Sequence, residues 1–224
     1  MKKEMTLPED FTVSLPFVRE RQEEYRAKRF KPYFERSDLT NEEKVCIGNY
    51  QDVHYWNEQK EDWSCKVPET MKEKPWCYMI NSCCRFQMFY DERTYFEKEL
   101  INFNVNNIDS AIEKSEIHGE LFVYRGVYDI DWLKKIIRQD EFEDEAFGSF
   151  SLKKSIAYQY TNPQNPIIFR LKLKKQMKAL YIDETECEML RPRKTRYKII
   201  EIKKQYEESL NMEVTVITIE EILK

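Results

Sequence analysis

The chain has 224 residues, of which 35% are charged and 14% aromatic, with 37 basic residues against 41 acidic ones. So many aromatics exclude a chain too polar to fill a core, and the near-balanced, slightly acidic charge leaves no footprint for nucleic acid or an anionic membrane. No run approaches the apolar length that spans a bilayer, and Met1-Lys2-Lys3-Glu4-Met5 leads into Leu7-Pro8-Glu9-Asp10 in place of the apolar stretch of a Sec-type signal, so a soluble protein with no membrane insertion is expected.

The first half reads as helix. Leu15 to Phe30 sets apolar and aromatic positions among Arg, Glu and Lys, and Thr40 followed by Glu43 predicts a capped helix start. Further helices are expected over Trp76 to Tyr90 and over Arg93 to Lys114, where Leu100, Ile101, Ile108, Ala111 and Ile112 keep helical spacing. From Glu120 the texture changes. A β-type run, Leu121 to Val127, precedes a brief helix over Trp132 to Ile137 and an acidic loop, Asp140 to Glu145, expected to be a solvated connection. Strand-like runs then recur over Phe147 to Ser151, Ile167 to Leu173, Ala179 to Ile182, Arg196 to Ile202 and Val214 to Ile219. The class is α+β, helices first and sheet second.

The six cysteines form no CxxC pair and have only His54 and His118 as imidazole company, so no metal site is expected, and reduced thiols are expected over a disulfide framework. Three of the four glycines, Gly119, Gly126 and Gly148, lie at strand edges, where a chain turns or admits a ligand closely. Three short motifs lie in the same region. In Glu186-Cys187-Glu188, an extended backbone would put both carboxylates on one face about 7 Å apart, a pair suited to chemistry at an anomeric carbon. In Tyr124-Arg125-Gly126, an arginine beside a glycine at a strand end can fork onto a phosphate. In Phe147-Gly148-Ser149-Phe150-Ser151, alternate hydroxyls share one side and can bond a carboxylate or a ribose. Taken singly, each is also the pattern of an ordinary solvated strand.

Together, in this order, the three motifs resemble the bacterial-exotoxin type of mono-ADP-ribosyltransferase, the Arg-Ser-Glu class that includes binary actin-modifying toxins and Rho-modifying exoenzymes. In that family the Glu-x-Glu strand is commonly followed by Leu-Leu-Pro-Arg-Gly-Thr, and here the stretch reads Met189-Leu190-Arg191-Pro192-Arg193-Lys194-Thr195. Upstream, Tyr78 to Arg85 and Asn107 to Lys114 look like the family's two helices bordering the cleft. The resemblance implies two packed, mainly antiparallel sheets forming an NAD cleft, with N-terminal helices around them. It places a catalytic domain at 37–224 behind a helical extension at 1–36.

By position, the resemblance implies that Arg125 grips the NAD phosphates with help from Asn81 and Arg85, and that Gly126 and Ser151 line the same cleft. Ser149 would orient Glu188, Glu188 would stabilise positive charge as the nicotinamide bond breaks, and Glu186 would face the acceptor. NAD is then the co-substrate, the partner is a protein acceptor, and a glutamate at position 186 favours an arginine side chain. The implied role is a toxin or effector, delivered into a host cell by specialised secretion or otherwise cytoplasmic. Alternatives are an NAD glycohydrolase using the same cleft and a catalytically silent partner-binding domain, whose mark would be loss of the Arg, Ser or Glu element. Phe150 stands for the usual threonine and should point away from the cleft, and Cys187 should pack opposite the two glutamates. Lys194 replaces the turn glycine, at a position where lysine tolerates positive φ poorly.

Overall fold

A computed structural model describes residues 30–51, 75–128, 130–183 and 185–223; the helix expected over Leu15 to Phe30 lies, but for Phe30, outside them. After a single 3-10 turn, Tyr33–Glu35, come helices α1 (Asn41–Gln51), α2 (Trp76–Arg85), α3 (Gln87–Asp91) and α4 (Tyr95–Glu113). The second half runs β1 (Leu121–Val127), α5 (Ile130–Ile137), β2 (Glu141–Asp144), β3 (Gly148–Ser151), α6 (Lys154–Gln159), β4 (Ile167–Leu173), β5 (Leu180–Asp183), β6 (Glu188–Arg191), β7 (Thr195–Glu207) and β8 (Met212–Glu221).

Local chemistry sets the helix ends. Thr40 Oγ1 accepts from the Glu43 amide at 3.2 Å while Glu43 reaches back to the Thr40 amide at 2.8 Å, the reciprocal box expected there. Glu43 is buried, so it needs more partners: it takes Lys114 Nζ at 2.7 Å and the Ser110 hydroxyl at 2.6 Å, which ties α1 to the end of α4. Thr94 and Glu97 build a second box at the start of α4. The helix expected over Trp76 to Tyr90 is broken at Phe86, whose backbone is extended. The buried stripe Trp76, Met79, Ile80, Cys83 ends there; Phe86 and Met88 are exposed and give a continued helix nothing to pack against.

The strands form an eight-stranded ladder in the order β2-β7-β8-β4-β1-β3-β6-β5. Among the described residues, only the β4–β8 pair runs parallel. The two expected sheets appear as two wings, β2-β7-β8-β4-β1 and β3-β6-β5, joined by the single pair Tyr124↔Ser151. One apolar cluster draws Phe169, Leu171 and Ile217 from the first wing and Phe150, Met189 and Tyr181 from the second, so the wings bury against each other. A second cluster packs α1, α2 and α4 on the other side of the smaller wing through Phe147, Leu180, Ile182 and Leu190. Tyr181 is part of the core.

The acidic loop expected over Asp140 to Glu145 is corrected: Glu141–Asp144 is strand β2, paired with β7. The run alternates, with Phe142 and Asp144 buried and Glu141 and Glu143 exposed, so two of its three acids solvate the outer face and one is carried inward. Helix α6, not expected from the sequence, is six residues long, too short to show a 3.6-residue period. Its end lies against β1: a Cβ on Gly126 would sit 2.4 Å from the Ala157 carbonyl oxygen and 2.6 Å from that of Tyr160. Gly126→Ala is therefore expected to push α6 off the strand and lower stability by about 1–3 kcal/mol, read as a lower thermal midpoint.

Candidate active site

Three strand ends and one helix converge where the wings join. β3 and β6 pair with Ser149 opposite Leu190 and Ser151 opposite Glu188. This register brings the Ser149 hydroxyl onto Glu188 Oε1, to which it donates a hydrogen bond. Both groups are only partly buried, so a ligand can reach the carboxylate. The charge of Glu188 is felt by its neighbours: burial first, and then that carboxylate, raise the Tyr50 hydroxyl and the Cys77 thiol above their ordinary ranges.

Arg125, on β1, donates from Nη1 to Asp144 Oδ2 at 2.5 Å, and Arg85, on α2, donates to the other oxygen of the same carboxylate at 3.3 Å. Burial pushes the Asp144 carboxyl up; Arg125 and then Arg85 outweigh it and hold the group below the usual aspartate range. Asp144 is 5% exposed, against 23% for Arg125 and 34% for Arg85, so an incoming anion meets the two guanidinium groups and not the carboxylate behind them. Asn81 is built into the wall of this site: its Oδ1 accepts from the Phe147 amide at 3.2 Å and its Nδ2 donates to the Tyr50 hydroxyl at 2.7 Å.

Glu186 is placed differently from expectation. Residues 185–187 form a turn, Cys187 has φ 49°, and β6 begins only at Glu188, so the two glutamates do not alternate along one strand. Each carboxylate has its own holder: Ser149 for Glu188, and Tyr160, whose hydroxyl donates to Glu186 Oε1 at 2.6 Å. Ser151 is buried, donating to the Glu186 carbonyl at 2.5 Å and accepting from the Lys153 amide at 2.9 Å. Gly126 is the contact for α6 described above. Phe150 lies in the core by alternation along β3, and Cys187 lies in the same core although it sits in the turn.

Lys194 has φ 59°, so the turn keeps the left-handed geometry of a glycine with a lysine in it. Its amide donates to the Asp144 carbonyl at 2.7 Å, and Thr195 closes the turn onto the Pro192 carbonyl at 2.6 Å. These bonds offset the roughly 1–2 kcal/mol that an L-residue costs in that conformation. Asp144, Tyr50 and Tyr160 were not among the residues singled out in the sequence; the alternation around Phe142 is the signal that would have found Asp144.

A family model described as ADP-ribosyltransferase exoenzyme matches residues 78–224, a span holding all three motifs and both arginines. The chain belongs to this family. It is an NAD-dependent ADP-ribosyltransferase by that membership. Similar solved structures carry the same fold. Plx2a, an ADP-ribosyltransferase toxin from Paenibacillus larvae, is 20% identical, with 91% of this chain and 92% of that one covered and a TM-score of 0.56. The C3 exoenzyme of Clostridium limosum is 17% identical, with 91% of this chain and 94% of that one covered and a TM-score of 0.57. BECa, the ADP-ribosylating toxin of a binary enterotoxin of C. perfringens solved with NADH, is 19% identical, with 83% of this chain and 44% of that one covered and a TM-score of 0.55. No curated protein sequence matches this chain. Among the described residues of the transferase, no helix is long and apolar enough to cross a membrane.

Proposed function

We propose that this transferase cleaves NAD at the nicotinamide bond and moves ADP-ribose onto an arginine side chain of a protein, acting as a toxin or effector as its relatives' names suggest. The catalytic unit is residues 37–224. The observation that carries the reading is the Ser149–Glu188 hydrogen bond set beside two guanidinium groups that share one buried carboxylate. Arg125 and Arg85 supply forked donors for the diphosphate, and Asn81, Gly126 and Ser151 hold the backbone around it. Ser149 fixes the Glu188 carboxylate, which bonds the nicotinamide ribose and stabilises positive charge at the anomeric carbon as the electron pair of the C–N bond leaves with nicotinamide. Glu186 meets the acceptor guanidinium and takes its proton as the new C–N bond forms. No metal is needed for any of these steps.

The reading is tested with labelled NAD, a cell lysate and, separately, the guanidino compound agmatine. Glu186→Gln is expected to lower the yield of labelled protein per nicotinamide released by about 10²-fold, the usual worth of a positioned base. A Glu186→Gln protein that labels as the parent does would remove the acceptor-side role, and labelled lysate proteins with no labelled agmatine would move the acceptor away from arginine.

A further inference from the structure

The acceptor-side glutamate sits in a turn, and three bonds hold this turn to the end of β3 and the segment that follows it. Ser151 Oγ donates to the Glu186 carbonyl at 2.5 Å, the Leu152 amide donates to the Cys187 carbonyl at 3.0 Å, and the Tyr160 hydroxyl donates to the Glu186 carboxylate at 2.6 Å. The first two bonds fix the backbone; the third acts on the carboxylate itself. Tyr160 is itself well placed for this. It caps α6 immediately after Gln159, its amide donates to the Ala157 carbonyl at 3.2 Å, and its own carbonyl abuts Gly126, next to Arg125. With 54% of its surface exposed, the ring is not a core residue retained for packing.

We propose that Tyr160 is a positioning residue that aims Glu186 at the acceptor and so sets how much cleaved NAD ends on protein and how much on water. This rests on the acceptor-side reading of Glu186. A phenol donating to the carboxylate keeps it from swinging away while acceptor and water compete for the anomeric carbon. In transfer the acceptor nitrogen forms the bond to that carbon and gives its proton to Glu186; in hydrolysis a water oxygen forms it, and an aimed carboxylate is of less consequence. Because the end of α6 touches the Arg125 strand on one side and Glu186 on the other, one short element links the phosphate-binding and acceptor sides of the cleft.

The experiment compares the full chain with Tyr160→Phe, Glu186→Gln and the double variant, measuring nicotinamide released, label on lysate protein and KM for NAD. Tyr160→Phe is expected to lower label per nicotinamide about tenfold, the usual worth of a hydrogen bond to a charged group, with KM for NAD unmoved. The double variant is expected to label no less than Glu186→Gln alone, because both changes act through one carboxylate. Tyr160→Phe with the parental ratio beside a deficient Glu186→Gln overturns the inference and leaves the reading of Glu186 standing. An equal loss of nicotinamide release and label in Tyr160→Phe, the mark of a merely structural role, also overturns it. A parental ratio in Glu186→Gln overturns both.

Discussion

Glu188→Gln is expected to slow NAD cleavage by about 10³-fold with little change in folding or NAD affinity. The amide has the size of the carboxylate and still accepts from the Ser149 hydroxyl, so the β3–β6 register and the shape of the cleft are kept. What disappears is the full negative charge at the point where the anomeric carbon becomes positive. That interaction is worth little in the bound ground state and most in the transition state, so the loss falls on kcat and not on KM. Nicotinamide release under saturating NAD, with NAD binding followed separately by titration, checks both halves. Loss of binding together with rate would assign Glu188 to affinity instead.

Asp144→Asn is expected to lower stability by about 3 kcal/mol, the scale of stranding one side of a buried ion pair. For a chain of this size that corresponds to a fall in thermal midpoint on the order of 10 °C. Two guanidinium groups, Arg125 and Arg85, lose their shared anion at once, and the carboxylate they lose is nearly fully buried. The pH dependence carries the sign. The folded-state pKa of Asp144 is depressed, so its stabilisation is present above the unfolded value of about 3.9 and disappears as pH falls through the folded value. The stability gap between parent and variant should be constant near neutrality and close below about pH 4, as followed by thermal melts across that range. A gap that persists into stronger acid would mean that the carboxylate charge is not what stabilises the site.

The parts of this molecule legible in its sequence are those encoded by local chemistry. The Thr40–Glu43 box, the long α4 and the strands β1 and β4 follow from capping and periodicity, and Ser149 facing Glu188 follows from strand alternation once the two strands are neighbours. What was hidden depended on contacts distant in sequence. Asp144 sits in a run of acids that reads as solvent-facing, and only the ladder to β7 shows one of them turned inward onto Arg125. The turn at Glu186 depends on Cys187 adopting a positive φ, which its residue type does not announce. Arg191, in a basic stretch, is fully buried, donating to the Lys178 carbonyl and to Glu221, partners that nothing local in the sequence indicates. Tyr160 follows a helix too short to be seen, and its partner is 26 residues away.

Incubating the purified chain with NAD and a cell lysate, and following free nicotinamide and label on protein together, tests the central claim most directly. Both are expected to rise with time in the parent. No nicotinamide release and no NAD binding would contradict the assignment of an active transferase site to Arg125, Ser149 and Glu188.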